Sequence, residues 1–325
     1  MSKAIRIHET GGPEVLRWED VSVPEPGEGE VLVRHTAVGL NYIDVYFRTG
    51  AYSGPALPFT PGLEAAGVVE SVGAGVSEFS AGDRVAYASA PMGAYAEQRI
   101  MPAGRIVRIP DGIDERRAAG MMLKGMTAEY LLRRTYRVQS GETILFHAAA
   151  GGVGLIACQW ARDLGATVIG TVGSDEKAEL AAAHGCTHPI VYTREDLVGR
   201  VKEITDGKGV PVVYDSVGRD TFERSLDCLQ PRGTMVSFGQ SSGKVAPFDV
   251  TVLSAKGSLY LTRPTIVHYT AGRDDLVQSA SALFDVVQRG AVRIEVNQTF
   301  PLEDAADAHR ALEARRTTGS TVLLP

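Results

Sequence analysis

The residues with the most evident chemistry are His147-Ala148-Ala149-Ala150-Gly151-Gly152-Val153-Gly154. A short apolar, β-prone run, Thr143-Ile144-Leu145-Phe146, precedes them, and apolar residues at helical spacing follow from Leu155 to Leu164. Glycines between a strand and a helix permit a tight turn and close backbone approach. The helix start then presents free N–H groups and a positive dipole end to an anion. The chemistry is that of a pyrophosphate cradle, with Gly151, Gly152 and Val153 at the contact.

The second strand of such a unit chooses the cofactor. An acid about twenty residues after the glycines binds the ribose 2′-hydroxyl of NAD. Here the strand ends Gly170-Thr171-Val172-Gly173 without one, and Ser174-Asp175-Glu176-Lys177 follows. Ser174 can donate a hydrogen bond to a 2′-phosphate and Lys177 a charge, which favours NADPH. Equally, Ser174 can cap the next helix while Lys177 is solvated. The reading requires Asp175 to point away.

On the substrate side, Asn41, Asp44, Tyr46 and Tyr52 lie within one short stretch. Asn41 can orient a carbonyl or an amide, and tyrosines can stack on a flat ring. The alternative is that the aromatics are core and Asp44 is a structural acceptor.

Two other features suggest different chemistry. Residues 143–161 carry no Asp, Glu, Lys or Arg, as a membrane helix would, but three central glycines and His147 oppose one continuous span. Gly239-Gln240-Ser241-Ser242-Gly243 fits the nucleophile elbow of α/β-hydrolases, which needs a helix immediately afterwards. Pro247 opposes that helix.

The elements that must position these groups fall into two patterns. Residues 1–125 are mainly β, with strands expected near 30–38, 65–72 and 83–88, and a small barrel-like domain is the expected closure. From about 126, strands at 142–147, 167–172, 188–192, 210–215, 233–238 and 257–262 alternate with helical segments, which predicts a doubly wound parallel sheet. Helices at 274–289 and 303–315 and a strand at 320–324 complete the chain.

At 325 residues there is room for two cores, and 44% hydrophobic with 22% charged residues is ordinary for a globular protein. A net charge of −6 argues against nucleic-acid or anionic-membrane partners, and the arginine pairs 116–117, 133–134 and 315–316 are isolated. Cys158, Cys186 and Cys228 form no paired framework, as expected of free thiols in the cytoplasm. The N-terminal residues lack the apolar core of a signal peptide.

Beyond the glycine loop, the chain carries Gly11-Gly12-Pro13-Glu14-Val15, Gly39-Leu40-Asn41-Tyr42-Ile43-Asp44, Lys124-Gly125-Met126-Thr127, Tyr214-Asp215-Ser216-Val217-Gly218, Val236-Ser237-Phe238-Gly239 and Thr262-Arg263-Pro264. With these landmarks it resembles, over nearly its whole length, the NADPH:quinone oxidoreductases, the zeta-crystallin-like, zinc-free branch of the medium-chain dehydrogenase/reductases. The resemblance implies an α/β fold, a Rossmann doubly wound parallel sheet (126–264) inserted into a GroES-like mainly-β catalytic domain (1–125 and 265–325). It implies an active cleft between the two and a homodimer. It adds Tyr192 to the 2′-phosphate pocket and Ser216, Phe238, Gly239, Ser241 and Thr262 to the cofactor contacts. Through motif matching alone, Lys124, Thr127, Tyr130, Arg263 and Arg315 join the site, with Asn41 and Tyr46 also touching the cofactor.

The expected activity is metal-free hydride transfer from NADPH to a quinone. Reduction of an activated alkene on the same scaffold is the enzymatic alternative, and an RNA-binding or structural role the non-enzymatic one. In zinc-dependent relatives a Cys and a His hold the metal where this chain has Asn41 and Leu63, and its cysteines all lie beyond residue 150. His184 and His188 are too scattered to replace them. Chelators should therefore leave turnover unchanged; one zinc per chain, lost together with activity, would refute this.

Overall fold

The computed structural model describes residues 2–325. They divide into two compact units, one holding the chain up to Met126 with Thr270–Gln288 and Ile294–Pro325, the other Thr127–Tyr269 with Arg289–Arg293. Two short segments expected with the first unit, 265–269 and 289–293, cluster with the second. For the latter the reason is local bonding. The Arg293 N–H donates to Gln159 Oε1 at 2.9 Å, and the Arg289 guanidinium grips Asp163 through two bonds of 2.8 and 2.5 Å.

In the first unit the eleven-residue strand Glu30–Leu40 is the hub. Its Val31, Val33, His35 and Ala37 alternate inward, as the two-residue period of a half-buried strand requires. It pairs antiparallel with Glu64–Val72, Gln98–Pro102 and Ser320–Leu324. Arg84–Ala88 and Val107–Arg108 extend the sheet on one side, and Val296–Pro301 extends it on the other. Ile5, Ile7, Val31, Val33, Val69, Val85, Tyr95 and Leu323 belong to one core. Two helices carry candidate site residues: α1, Tyr42–Arg48, directly after the hub strand, and α2, Glu115–Tyr130, which runs past the unit boundary at Met126.

The second unit is a six-stranded sheet in the order His188–Val191, Thr167–Val172, Thr143–Phe146, Val210–Asp215, Leu229–Ser237, Tyr260–Thr262, with every pairing parallel. This is the doubly wound order, and it reverses between Thr143–Phe146 and Val210–Asp215. Ligands of such sheets bind beyond the strand ends at that reversal. Helix α3, Gly152–Asp163, leaves the first of those ends, and α4, Asp175–Ala183, follows the second strand. The charge-free run 143–161 is thus a strand, a turn and a helix. No helix among the described residues is long and apolar enough to cross a membrane.

His35 shows how polar groups enter the first core. One ring nitrogen lies 2.6 Å from the carbonyl of Ala96 and the other 2.9 Å from the hydroxyl of Tyr87. A carbonyl only accepts, so Nδ1 carries the proton and Nε2 accepts from Tyr87. Burial pushes the imidazole down to about 4, against a partial opposing effect of the Ala96 bond. An unfolded histidine titrates near 6.5, so between those values the unfolded chain binds the extra proton. The neutral ring's contribution is complete above pH 6.5 and is lost as pH falls towards 4, a change of about 3 kcal/mol. The urea midpoint should therefore fall more steeply between pH 7 and 4.5 in the parent protein than in His35→Gln. Parallel declines would show that this ring is not the source.

Candidate active site

In the second unit, Ala148 takes a left-handed conformation (φ 56°), which folds the loop back before α3 begins at Gly152. A Cβ on Gly154 would lie 2.3 Å from the carbonyl oxygen of Ala148, so only glycine lets the helix start so close to the turn. Gly151, Gly152 and Val153 stay partly open to solvent at that helix start, where backbone N–H groups lack helical partners.

A buried polar chain holds the loop in place. Asp215 accepts from the N–H groups of Val217 and Gly218 at 2.7 and 3.0 Å, and from the hydroxyls of Thr221 and Ser225 at 2.7 and 3.0 Å. Because Ser225 donates to Asp215, it must accept from His147 Nε2 at 2.9 Å, and His147 Nδ1 then accepts from Thr171 at 2.9 Å. Burial depresses the His147 pKa, with the Asp215 charge acting against it. One chain of bonds thus joins the ends of three strands, and Ser216 sits on the loop it fixes.

At the end of the second strand the hydroxyl of Tyr192 lies beside Gly173, 3.1 Å from where a Cβ there would sit. Ser174 caps α4, accepting the N–H of Lys177 at 3.4 Å, so the capping alternative holds whether or not the residue also meets a ligand. Asp175 is turned onto Arg194 in a two-bonded pair of 2.7 and 2.5 Å, which holds its carboxyl below the usual range. No sequence signal singles out Arg194, one arginine among many on the surface.

Further along, Arg263 donates to the carbonyls of Ser237 and Gly239 at 2.9 and 2.7 Å, tying the Thr262 strand end to the Phe238–Gly239 turn. Phe238 packs on Phe146, with ring centroids 5.7 Å apart. After Ser241 the chain stays non-helical until Thr251–Ala255, so the nucleophile-elbow geometry is not formed. Thr127 and Tyr130 are buried near the end of α2, and Tyr130 stacks on Tyr269 at 4.4 Å. Burial raises the Tyr130 phenol.

In the first unit, Asn41 follows the hub strand and caps α1. Its backbone N–H donates to Asp44 Oδ2 at 2.9 Å, and its side-chain Nδ2 donates to Glu64 Oε2 at 2.7 Å. The same Glu64 oxygen accepts from Lys124 Nζ at 3.0 Å, while Oε1 takes the Leu123 N–H at 2.8 Å. Glu64 is not among the residues expected at the site; its one signal in the sequence is an acid opening a mainly apolar strand, directly after Leu63. Asp44 has no exposure, and burial pushes its carboxyl up to about 7 against the lowering effect of its donors. Its Oδ2 also accepts from Tyr95 at 3.0 Å, Tyr95 meets His309 Nε2 at 3.1 Å, and Arg48 meets His309 Nδ1 at 3.2 Å. Asp44 therefore holds the start of α1 through Oδ2, the structural-acceptor role open to it in the sequence, while its Oδ1 has no hydrogen-bond partner. Tyr46 lies 4.9 Å from Tyr52 and 5.4 Å from Tyr42, ring to ring, forming a partly exposed aromatic cluster. Arg315, in a left-handed turn, acts electrostatically on Tyr42.

Among the described residues, no three His, Cys, Asp or Glu side chains gather as metal ligands, and all three cysteines are buried in the second unit.

Comparison with known proteins accords with this geometry. Residues 27–139 match the alcohol dehydrogenase GroES-like domain, and 152–285 the domain called zinc-binding dehydrogenase. A quinone oxidoreductase of Pseudomonas aeruginosa is 56% identical over 100% of both chains. The crystal structure of Escherichia coli quinone oxidoreductase complexed with NADPH superposes with a TM-score of 0.98 at 50% identity, covering 99% of this chain and 100% of that one. A 2-haloacrylate reductase of a Burkholderia species is 47% identical over 100% of this chain and 99% of its own. The chain belongs to the quinone-oxidoreductase branch of the medium-chain dehydrogenase/reductases.

Proposed function

We propose that the protein reduces quinones with NADPH. The observation that carries the cofactor is the acid-free end of the second strand. Tyr192 lies beside Gly173 there, Lys177 follows on α4 with its backbone N–H on Ser174, and Arg194 draws Asp175 off. That donor set fits a 2′-phosphate, and the Gly154 cradle fits a pyrophosphate. When bound, NADPH supplies the hydride. The chain's own part is to hold the two reactants, with Gly151, Gly152, Val153, Ser216, Phe238, Gly239, Ser241, Thr262 and Arg263 on the cofactor side. Thr127, Tyr130 and Arg315 are assigned there through the family motif. Asn41 orients a carbonyl or amide, and the Tyr46–Tyr52 wall offers a flat face to a flat ring.

Quinones suit such a site because their reduction yields an aromatic product whose charge is delocalised. The alkene-reductase reading stays as the second because of the full-length likeness to a 2-haloacrylate reductase. We assign residues 1–125 and 265–325 to the catalytic domain and 126–264 to the nucleotide domain, although 265–269 and 289–293 belong to the nucleotide unit by their contacts. The protein would work in the cytoplasm, consistent with three free thiols, without nucleic-acid or membrane partners. A homodimer formed along the edge strand Tyr260–Thr262 would cover Tyr260 and Leu261, which are 63% and 37% exposed.

Two experiments test the reading. Lys177→Ala should weaken NADPH by roughly 10- to 150-fold, the loss of a charge-assisted contact of about 1.5–3 kcal/mol, and leave NADH nearly unchanged. An equal loss for both cofactors would remove Lys177 from the pocket. With NADPH, kcat/KM for a benzoquinone or a phenanthrenequinone should exceed that for a medium-chain enal and an enoyl thioester. An alkene that outruns both quinones by about tenfold would replace the quinone reading with the alkene one.

A further inference from the structure

Glu64 has no exposure, yet it carries a carboxylate at the first residue of an interior strand. Room for it exists because position 39, its partner across the strand pair, has no side chain. A Cβ there would lie 2.2 Å from Glu64 Oε2 and 2.3 Å from the carbonyl oxygen of Ala119. Three donors converge on the carboxylate, and two of them, Asn41 Nδ2 and Lys124 Nζ, share Oε2. A second constraint grips Asn41 from the other end, its backbone N–H on Asp44. With Nδ2 committed to Glu64, the amide of Asn41 has one orientation, its Oδ1 directed away from that carboxylate. The Lys124 side chain keeps 7% exposure where Glu64 keeps none, so of this pair only the lysine reaches the surface.

Resting on the quinone-reductase reading, we propose that Glu64 is a positioning residue that fixes Asn41 and Lys124 through one oxygen, and that the Lys124 ammonium is the fixed positive charge met by the oxyanion of the reduced acceptor. Transfer of a hydride to a quinone oxygen would break the donor C–H bond, form an O–H bond and leave NADP+ and the hydroquinone monoanion, which a solvent proton then neutralises. The monoanion is where negative charge develops, and a preorganised cation in a buried site stabilises it without reorganising. Glu64 serves this cation in two ways. It balances the charge while the site is empty, which keeps a buried ammonium tolerable, and it prevents the long lysine side chain from leaving.

The test separates this role from simple packing. In a series of para-benzoquinones running from halogenated to methylated, the product oxyanion becomes steadily more basic and needs more help. Lys124→Met and Glu64→Gln should lower kcat more than they raise KM, with a loss that grows along the series to on the order of ten- to a hundredfold for the methylated members. Lys124→Arg, which keeps the charge, should recover part of it. Should the single variants unfold, the double variant Glu64→Gln/Lys124→Met replaces the pair by neutral groups of similar size and should show the same slope. An activity-free readout uses 4-nitrophenol with the NADP+ complex. The parent protein should bind the yellow phenolate and shift its titration to lower pH, and Lys124→Met should abolish the shift. A uniform loss across all quinones, a loss in KM alone, or an unchanged nitrophenol titration would overturn the proposal. A parent protein that prefers alkenes over every quinone would instead sink the function on which it rests, whatever the variants do.

Discussion

A carboxylate removed from water must find its donors within the protein, and much of the first unit is arranged around that demand at Glu64. The hub strand has to offer glycine at 39, the helix after it has to begin with a donor at 41, and α2 has to bring both its Leu123 N–H and Lys124 to the same place. Each concession is local, but together they fix the hub strand, the following strand and two helices against one another. Removing either partner of such a pair leaves a stranded charge, which costs about 3–5 kcal/mol, so the arrangement is held together by the penalty of breaking it more than by the attraction itself.

The second unit solves a parallel problem with different groups. Asp215 is also buried, and its partners are hydroxyls and backbone N–H groups in place of a cation. The chain of donors runs from Thr171 through His147 and Ser225 to Asp215, with each hydrogen assigned by the next acceptor. Polar networks of this kind specify one arrangement because any rotation leaves a group unsatisfied. That is why three loops can approach a dinucleotide without long flexible excursions. The Asp44–Tyr95–His309–Arg48 chain does the same for α1, ending at Glu313 with a bond of 2.7 Å.

How much is legible in the sequence depends on how local each signal is. The glycine loop, the six alternating strands and the acid-free strand end are statements about neighbours in sequence, and the fold places them as read. Strands such as Leu16–Val21, Leu-Arg-Trp-Glu-Asp-Val, are not legible, because only Leu16 of the six is buried and the strand has little apolar alternation to display. Glu64 escapes notice for another reason: its importance lies in Gly39, Asn41 and Lys124, which only folding brings to it. Asp44 stands out in the sequence with two tasks open to it, and nothing in its neighbours announces that Tyr95, itself bonded to His309, donates to it. Asp175 shows the opposite case. Its position in the sequence requires it to turn away from the phosphate pocket, and Arg194 supplies the means.

The strand Ser320–Leu324 lies inside the first sheet, between Val296–Pro301 and the hub strand Glu30–Leu40. The hub therefore waits for a partner from the far end of the chain, while every strand of the second sheet has been made by Thr262. During vectorial synthesis the nucleotide-binding unit can complete its sheet first, and it then spans as a folded insert the long gap that the first unit has to close. Loop-closure entropy grows only slowly with length, and a structured insert shortens the flexible part further. Until the last strand docks, the edge of the hub strand at Val38–Leu40 stands open, so the nascent mainly-β unit carries the exposed strand edge of the two.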